Sequence, residues 1–372
     1  MRDILDNLLR WWEAGEPVGL ATVTATWSSA PRQPGAAMAV GPDGTVAGSV
    51  SGGCVEGAVY ELCRETAETG VARTVRYGVS DDDAFEVGLT CGGIIELLIE
   101  RVDRESFPQL PELIAAIRAD RPVALASRLP EPGEAGARHV LLSAEERTGS
   151  LGGDRIDDAV TDDGRGLLAA GHTRVLHYGP SGERRGAGLS VLVSSFAPPA
   201  RMLVFGATDH AAATARIGSF LGYRVTVCDA RPVFATRRRF PSADEVVVDW
   251  PHRYLTAEAE AGRLDHRTVL CVLTHDPKFD VPVLEVALRL PVAYVGAMGS
   301  RRTHDDRNKR LQETGLTDDE LARLSSPVGL DLGARTPEET AVSIAAEIVA
   351  LRWGGTGARL TRTEGRIHPA ES

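Results

Sequence analysis

Residues 201–229 read RMLVFGATDHAAATARIGSFLGYRVTVCD. An apolar run, Met202 to Phe205, stops at Gly206; a helical pattern follows from Ala211 to Leu221; a second apolar run, Arg224 to Cys228, ends in Asp229. Strand, glycine turn, helix, strand is the grammar of a parallel sheet. The alternation continues with strands at Val246–Val248, Thr268–Leu273 and Val292–Val295, and with helical stretches between them such as Val281–Leu290. Parallel strands joined by right-handed crossovers predict a Rossmann-like, doubly wound α/β domain over residues 201–372. Its ligands would sit beyond the carboxyl ends of the strands.

Working backward, Ala197-Pro198-Pro199-Ala200 is a linker, because two prolines fix φ and stop regular structure. Upstream, residues 1–197 predict a second domain of the α+β type, built from two similar halves of about 1–104 and 105–197. PVGLATVTA at Pro17 matches PVALASRLP at Pro122, GSVSGGCVEGAV at Gly48 matches GSLGGDRIDDAV at Gly149, and RTVRYG ending at Gly78 matches RVLHYG ending at Gly179. The offset stays near 100 residues, the mark of an internal repeat. The halves differ where chemistry would differ. The first has Ser51-Gly52-Gly53-Cys54-Val55-Glu56 and Thr90-Cys91-Gly92-Gly93; the second has Gly152-Gly153-Asp154 and Gly186-Ala187-Gly188.

The 372 residues are 43% hydrophobic and 25% charged, enough apolar material for two cores. A formal net charge of −11 makes nucleic acid and anionic membrane poor partners. No apolar run reaches the roughly 18 residues of a membrane span. Met1–Trp12 carries Asp3 and Asp6, and reads as an amphipathic helix packing Ile4, Leu5, Leu8, Leu9 and Trp12 rather than as an export signal. The expected compartment is therefore the cytoplasm. Five cysteines with no CxxC pair fit neither a disulfide framework nor a zinc ribbon, and no resident metal site is read from them.

Four stretches downstream of the linker and one pair upstream invite chemistry. The Gly206-Ala207-Thr208-Asp209-His210-Ala211 turn has the first glycine of a dinucleotide fingerprint, and Asp229 stands about 20 residues on, where a ribose hydroxyl would sit. Thr208, however, takes the place of the second glycine. Thr274-His275-Asp276-Pro277 follows a strand. Asp276 reads equally well as a helix cap, whereas His275 has no such explanation. Gly296-Ala297-Met298-Gly299-Ser300-Arg301-Arg302 opens a helix, where backbone N–H groups and fixed positive charge suit a phosphate. Thr336-Pro337-Glu338-Glu339 is a capping box, and its helix, running to about Leu351, is expected to be apolar on one face and to close the domain. Cys54 at a helix start and Cys91 beside two glycines are the candidate functional thiols. Cys63, Cys228 and Cys271 read as small buried hydrophobes.

At these stretches the chain resembles the XdhC/CoxI family, the accessory proteins of xanthine dehydrogenase and carbon monoxide dehydrogenase. GSVSGGCVEGAV, LTCGGIIELLIE, FAPPARMLVFGA, VTVCDARPVFA, LTHDPKFD, YVGAMGSRRT and SPVGLDLGARTPEETAVSIAAEI carry the likeness in order from residue 48 to 348. The turn departs from it: Asp209 falls where the family's histidine usually falls, with His210 next to it. The resemblance implies a protein that binds the molybdenum cofactor (molybdopterin, with or without an attached nucleotide) and aids its sulfuration. It would insert the cofactor into an apo molybdenum hydroxylase, acting as a chaperone more than as an enzyme. Contacts are implied for Ser51, Gly52, Gly53, Cys54, Glu56, Cys91, Gly92 and Gly93. Downstream they are implied for Gly206, Thr208, Asp209, His210, Asp229, His275, Asp276, Gly296, Gly299, Ser300 and Arg301. Expected partners are the hydroxylase, a cysteine desulfurase and a second copy in a homodimer. The rival reading is an NAD(P)-linked oxidoreductase.

Overall fold

The computed structural model describes residues 1–27, 32–78, 93–131, 136–184 and 188–364, in two compact units, Met1–Pro198 and Pro199–Glu364. No helix among them is long and apolar enough to cross a membrane.

The first unit repeats one plan twice. Helix α1 (Leu5–Ala14) leads to β1 (Val18–Trp27), β2 (Ala37–Val40), β3 (Val46–Gly48), α2 (Glu56–Thr69), β4 (Arg73–Tyr77) and β5 (Ile94–Val102). Helix α3 (Leu110–Arg118) leads to β6 (Val123–Arg128), β7 (Arg138–Leu142), β8 (Arg147–Gly149), α4 (Asp154–Ala170), β9 (Arg174–Tyr178) and β10 (Leu189–Phe196). The two antiparallel sheets run β3-β2-β1-β5-β4 and β8-β7-β6-β10-β9, the same order. Each sheet packs its own helix, α2 or α4, on one face. The other faces meet in a shared core of Leu8, Val18 and Leu20 from the first half with Leu125, Leu141 and Phe196 from the second. At the N-terminus it is Trp11 that is buried. Trp12 lies at the rim and donates its indole N–H to the carbonyls of Asp103 and Phe107, at 3.0 and 3.1 Å. Its polar edge decides this position, since a buried indole N–H needs an acceptor.

The second unit comprises β11 (Arg201–Phe205), α5 (Asp209–Phe220), β12 (Arg224–Cys228), β13 (Glu245–Val247), α6 (Pro251–Glu260), β14 (Val269–Val272), α7 (Pro277–Ala287), β15 (Tyr294–Ala297), α8 (Arg301–Glu313), α9 (Asp318–Ala322), β16 (Leu324–Ser325) and α10 (Pro337–Trp353). Six parallel strands run β13-β12-β11-β14-β15-β16, one more than the five read from sequence, the sixth being only two residues long. The order reverses between β11 and β14, and a crevice opens at that point in such sheets. Separate apolar clusters line the two faces. One gathers Ala211, Ala215, Ile344 and Ile348 of α5 and α10, the other Leu255, Val283, Leu284 and Leu311 of α6, α7 and α8. Helices on both faces of a parallel sheet bear out the doubly wound α/β fold.

Candidate functional site

In the second unit, the turn after β11 runs against the end of β14. Gly206 has φ +111°, and a Cβ there would come within 2.8 Å of Thr274 Cγ2 and 3.0 Å of the Leu273 carbonyl carbon. Glycine is needed here for close packing. Thr208 caps α5, its hydroxyl accepting from the Ala211 amide at 3.1 Å. Asp209 is exposed and pairs with Arg239 at 3.1 Å, and His210 is half-buried beside it.

Asp229 is only 2% exposed and accepts four hydrogen bonds: from the Ala207 amide (2.7 Å), the Arg231 amide (2.8 Å), and Nε and Nη2 of Arg231 (2.9 and 2.8 Å). Burial opposes its charge, but these donors outweigh burial and hold the carboxyl below its ordinary value. Arg239 donates to the Ala207 carbonyl at 3.0 Å, and both guanidiniums reach the Phe234 ring, Arg231 at 4.7 Å and Arg239 at 5.7 Å from its centre. This arginine clasp was missed in the sequence, although its short spacing from Asp229 was a readable signal.

The two other downstream motifs meet each other. Asp276 caps α7, accepting from the Lys278 amide at 3.1 Å, and Ser300 caps α8, accepting from the Thr303 amide at 3.1 Å. Exposed His275 and Arg302, with Thr303, Asp306 and Arg310, line a cavity of about 190 Å³ between α7 and α8. Its floor is an ion pair between Asp280 and Arg307, 2.9 Å apart and each 4% exposed. Arg307 also donates to Ser326 Oγ and the Met298 carbonyl, and Thr274 donates to Asp280. Burial pushes the Asp280 carboxyl up, against the pull of Arg307. Gly296 lies inside β15, packed on Tyr294 and Val328, so the loop begins later than the sequence suggests. Gly299 packs near Thr303, and Arg301 is exposed.

In the first unit, the Ser51-Gly52-Gly53-Cys54 loop curls around one carboxylate. Glu56 accepts from Ser49 Oγ (2.7 Å), the Ser51 amide (2.9 Å), Ser51 Oγ, and the Gly52 and Gly53 amides (both 2.8 Å). Ser51 Oγ in turn accepts from the Cys54 amide at 3.0 Å. Burial works against the charge on Glu56, yet the hydroxyl and amide donors win and lower it to about 2. Cys54 is half-buried, packed at the edge of the core beneath α2, and a cavity of about 590 Å³ reaches Ser49 at the start of the loop. Gly93 immediately precedes β5 and is buried; Cys91, Gly92 and Gly186-Ala187 lie outside the described residues. Burial pushes the Cys63 and Cys271 thiols up to about 12 and Cys228 higher still, so these three are poor nucleophiles at neutral pH.

Known proteins resemble the chain along most of its length. Residues 202–348 match the XdhC Rossmann domain, and residues 11–78 and 116–179 match the XdhC and CoxI family. The protein belongs to the XdhC/CoxI family. A Bacillus subtilis protein, named as one of the probable subunits of xanthine dehydrogenase, is 27% identical over 351 residues, 94% of this chain and 96% of that one. PaoD of Escherichia coli, named a molybdenum cofactor insertion chaperone, is 27% identical over 351 residues, 94% of this chain and 88% of PaoD. A solved Bacillus halodurans protein described as a xanthine dehydrogenase shares the fold, with a TM-score of 0.68 and 24% identity over 96% of this chain and 97% of that one.

Proposed function

We propose that this XdhC/CoxI protein binds the molybdenum cofactor and helps to sulfurate and insert it into an apo hydroxylase of the xanthine dehydrogenase or carbon monoxide dehydrogenase type. A cysteine desulfurase would be the sulfur source. The observation that carries the reading is the thiol loop. Among the described residues nothing lies within 4 Å of where a Cβ on Gly52 or Gly53 would stand, so those residues leave the outer side of the loop bearing Cys54 uncovered. Kinship with PaoD supports the same role.

The donor set fits the group in parts. Sulfur ligands suit a soft metal, and Cys54 is a half-buried thiol beside two glycines. The Gly52 and Gly53 amides already serve Glu56, so this loop offers sulfur and shape but no phosphate cradle. In the second unit, His275, Arg302 and the start of α8 offer cationic and N–H groups to a phosphate. When bound, the cofactor would supply the metal centre and its exchangeable sulfur ligand, and the chain's own residues would hold it.

Molybdenum analysis with a pterin fluorescence assay on purified protein tests the reading. Both signals are expected to copurify, and the Cys54→Ala/Cys91→Ala double variant is expected to stay folded by circular dichroism yet fail to load an apo hydroxylase. Equal loading by the double variant would remove the thiols from the mechanism. Absence of molybdenum and pterin from the wild type would leave an interaction module with a vestigial pocket. For the NAD(P)-linked alternative the fold and Asp229 speak in favour; the four hydrogen bonds already on Asp229 speak against it. Calorimetric titration separates the two, and NAD(H) or NADP(H) affinity tighter than about 1 μM, near −8 kcal/mol, would favour the oxidoreductase.

A further inference from the structure

The capping box of α10 forms as expected, with Thr336 accepting from the Glu339 amide and Glu339 accepting from the Thr336 amide. Ile344 and Ile348 seat this helix on the sheet, while Val342, Val349 and Trp353 stand exposed, so it is not apolar on one face alone. Helix α8 is seated otherwise: its buried residues are Arg307 and Leu311. Arg302, Asp306 and Arg310 recur every four residues, Thr303 and Arg307 keep the same spacing one step on, and this polar stripe is the α8 wall of the cavity facing α7. A buried ion pair is a poor source of stability, because its desolvation costs about as much as its attraction gains, and apolar residues of similar volume hold two helices at least as well. Stability therefore does not explain Asp280 and Arg307 where α7 meets α8. The pair instead floors the cavity with charges that neutralise each other. Above it the cations are uncommitted: among the described residues the side chains of Arg302 and Arg310 make no ion pair or hydrogen bond. Asp306 lies four residues from each, but exposed pairs along a helix are weak, whereas guanidinium–phosphate contacts are charge-assisted and bidentate.

We infer that this cavity binds a terminal phosphate, the group of a phosphate monoester, with Arg302 and Arg310 as the specificity-determining residues and His275 on the α7 side. Its volume of about 190 Å³ falls below the roughly 300–1,000 Å³ that enclose a whole small-molecule ligand, so it takes one end of a larger molecule. Because the cavity ends on the Asp280–Arg307 pair, a group seated there continues only toward the mouth. A monoester brings close to two negative charges and three free oxygens at pH 7. Esterified a second time, the same phosphate keeps one charge and two free oxygens, and its chain must leave in two directions. The inference deepens the proposed function and rests on it only for the source of the ligand: the cofactor without an attached nucleotide ends in such a phosphate, and the nucleotide form does not. A phosphorylated metabolite unrelated to the cofactor offers the same chemistry.

The full chain, expressed in cells that make no molybdopterin, is titrated calorimetrically with phenyl phosphate and with the diester methyl phenyl phosphate. The monoester is expected to bind, and the diester to bind at least about tenfold more weakly. Arg302→Gln and Arg310→Gln should each weaken phenyl phosphate binding by about tenfold, and the double variant should abolish it. Lys309→Gln removes the same charge from the same helix outside the cavity and should change binding by less than about twofold. All three side chains are exposed, so these variants are expected to fold. No binding of phenyl phosphate at millimolar concentration, equal affinity for the diester, or an equal loss in Lys309→Gln and Arg310→Gln overturns the proposal. Molybdenum and pterin measured on wild type and double variant from ordinary cells identify the source. Cofactor lost in the double variant assigns the phosphate to the cofactor; cofactor retained assigns the site to a separate phosphorylated ligand. A wild type that binds phenyl phosphate but carries no cofactor leaves this site standing and removes the proposed function.

Discussion

The two halves of the first unit fold the same way and treat the same loop differently. In each, a glycine-rich turn joins the third strand to the helix, and an acidic residue at the helix start accepts from the turn: Glu56 in the first half, Asp157 in the second. In the second half, Arg128 donates to the Leu151 carbonyl at 3.4 Å, and a Cβ on Gly152 would collide with the Arg138 guanidinium. By strand register, Arg128 and Arg138 correspond to Val23 and Ala36 in the first half, and neither of those carries a guanidinium to lay over the loop. One loop is roofed by arginine and lacks a thiol; the other has no arginine roof among the described residues and carries one. Divergence after duplication has kept the scaffold in both copies and the candidate chemistry in one.

Removing the acids should sharpen the contrast most. Glu56→Ala strips five donors of their acceptor and is expected to destabilise the first unit by about 2 kcal/mol, the lower part of the range for charged hydrogen bonds because the loop is half exposed. Asp157→Ala leaves one buried amide, that of Leu151, unmatched and should cost about 1 kcal/mol. Urea denaturation of both variants measures the difference, and equal losses would break the comparison.

Acid should act on the first loop next. The folded-state Glu56 carboxyl lies near 2, below its ordinary 4.5. A depressed carboxyl contributes stability that is present above the unfolded value and lost as pH falls through the folded one. The wild type should therefore lose stability between about pH 4.5 and 2 relative to Glu56→Gln, seen as converging denaturation midpoints; parallel curves would contradict this.

The smallest effects come from the glycines. Gly52 has φ +82° and, among the described residues, nothing within 4 Å of a Cβ, so Gly52→Ala should cost about 1 kcal/mol from backbone strain. Gly153 is extended, at φ 177°, so Gly153→Ala should change stability by less than about 0.5 kcal/mol. Thermal melts of the pair would show it.

Much of this was legible in the chain of residues alone. The βαβ alternation revealed five of the six strands, because apolar runs closed by glycine or acid are local signals, and the repeat was visible as matched strings. The two-residue β16 carries no pattern of its own and exists only by pairing with β15. Asp276 and Thr336 were readable as caps because capping is local too. The Arg138 roof and the Asp280–Arg307 pair 27 residues apart were not readable. Each depends on which surfaces the fold brings together or leaves uncovered.

The shared core of the first unit has a consequence for how it assembles. Leu8 and Leu20 find their apolar neighbours among Leu125, Leu141 and Phe196, contributed from the far side of the duplication. A chain severed between Val102 and Leu110 would yield two fragments, each with one sheet face bare, and neither would be expected to be stable alone. Mixed together, they should recover structure in a single cooperative step, as a split protein complements itself.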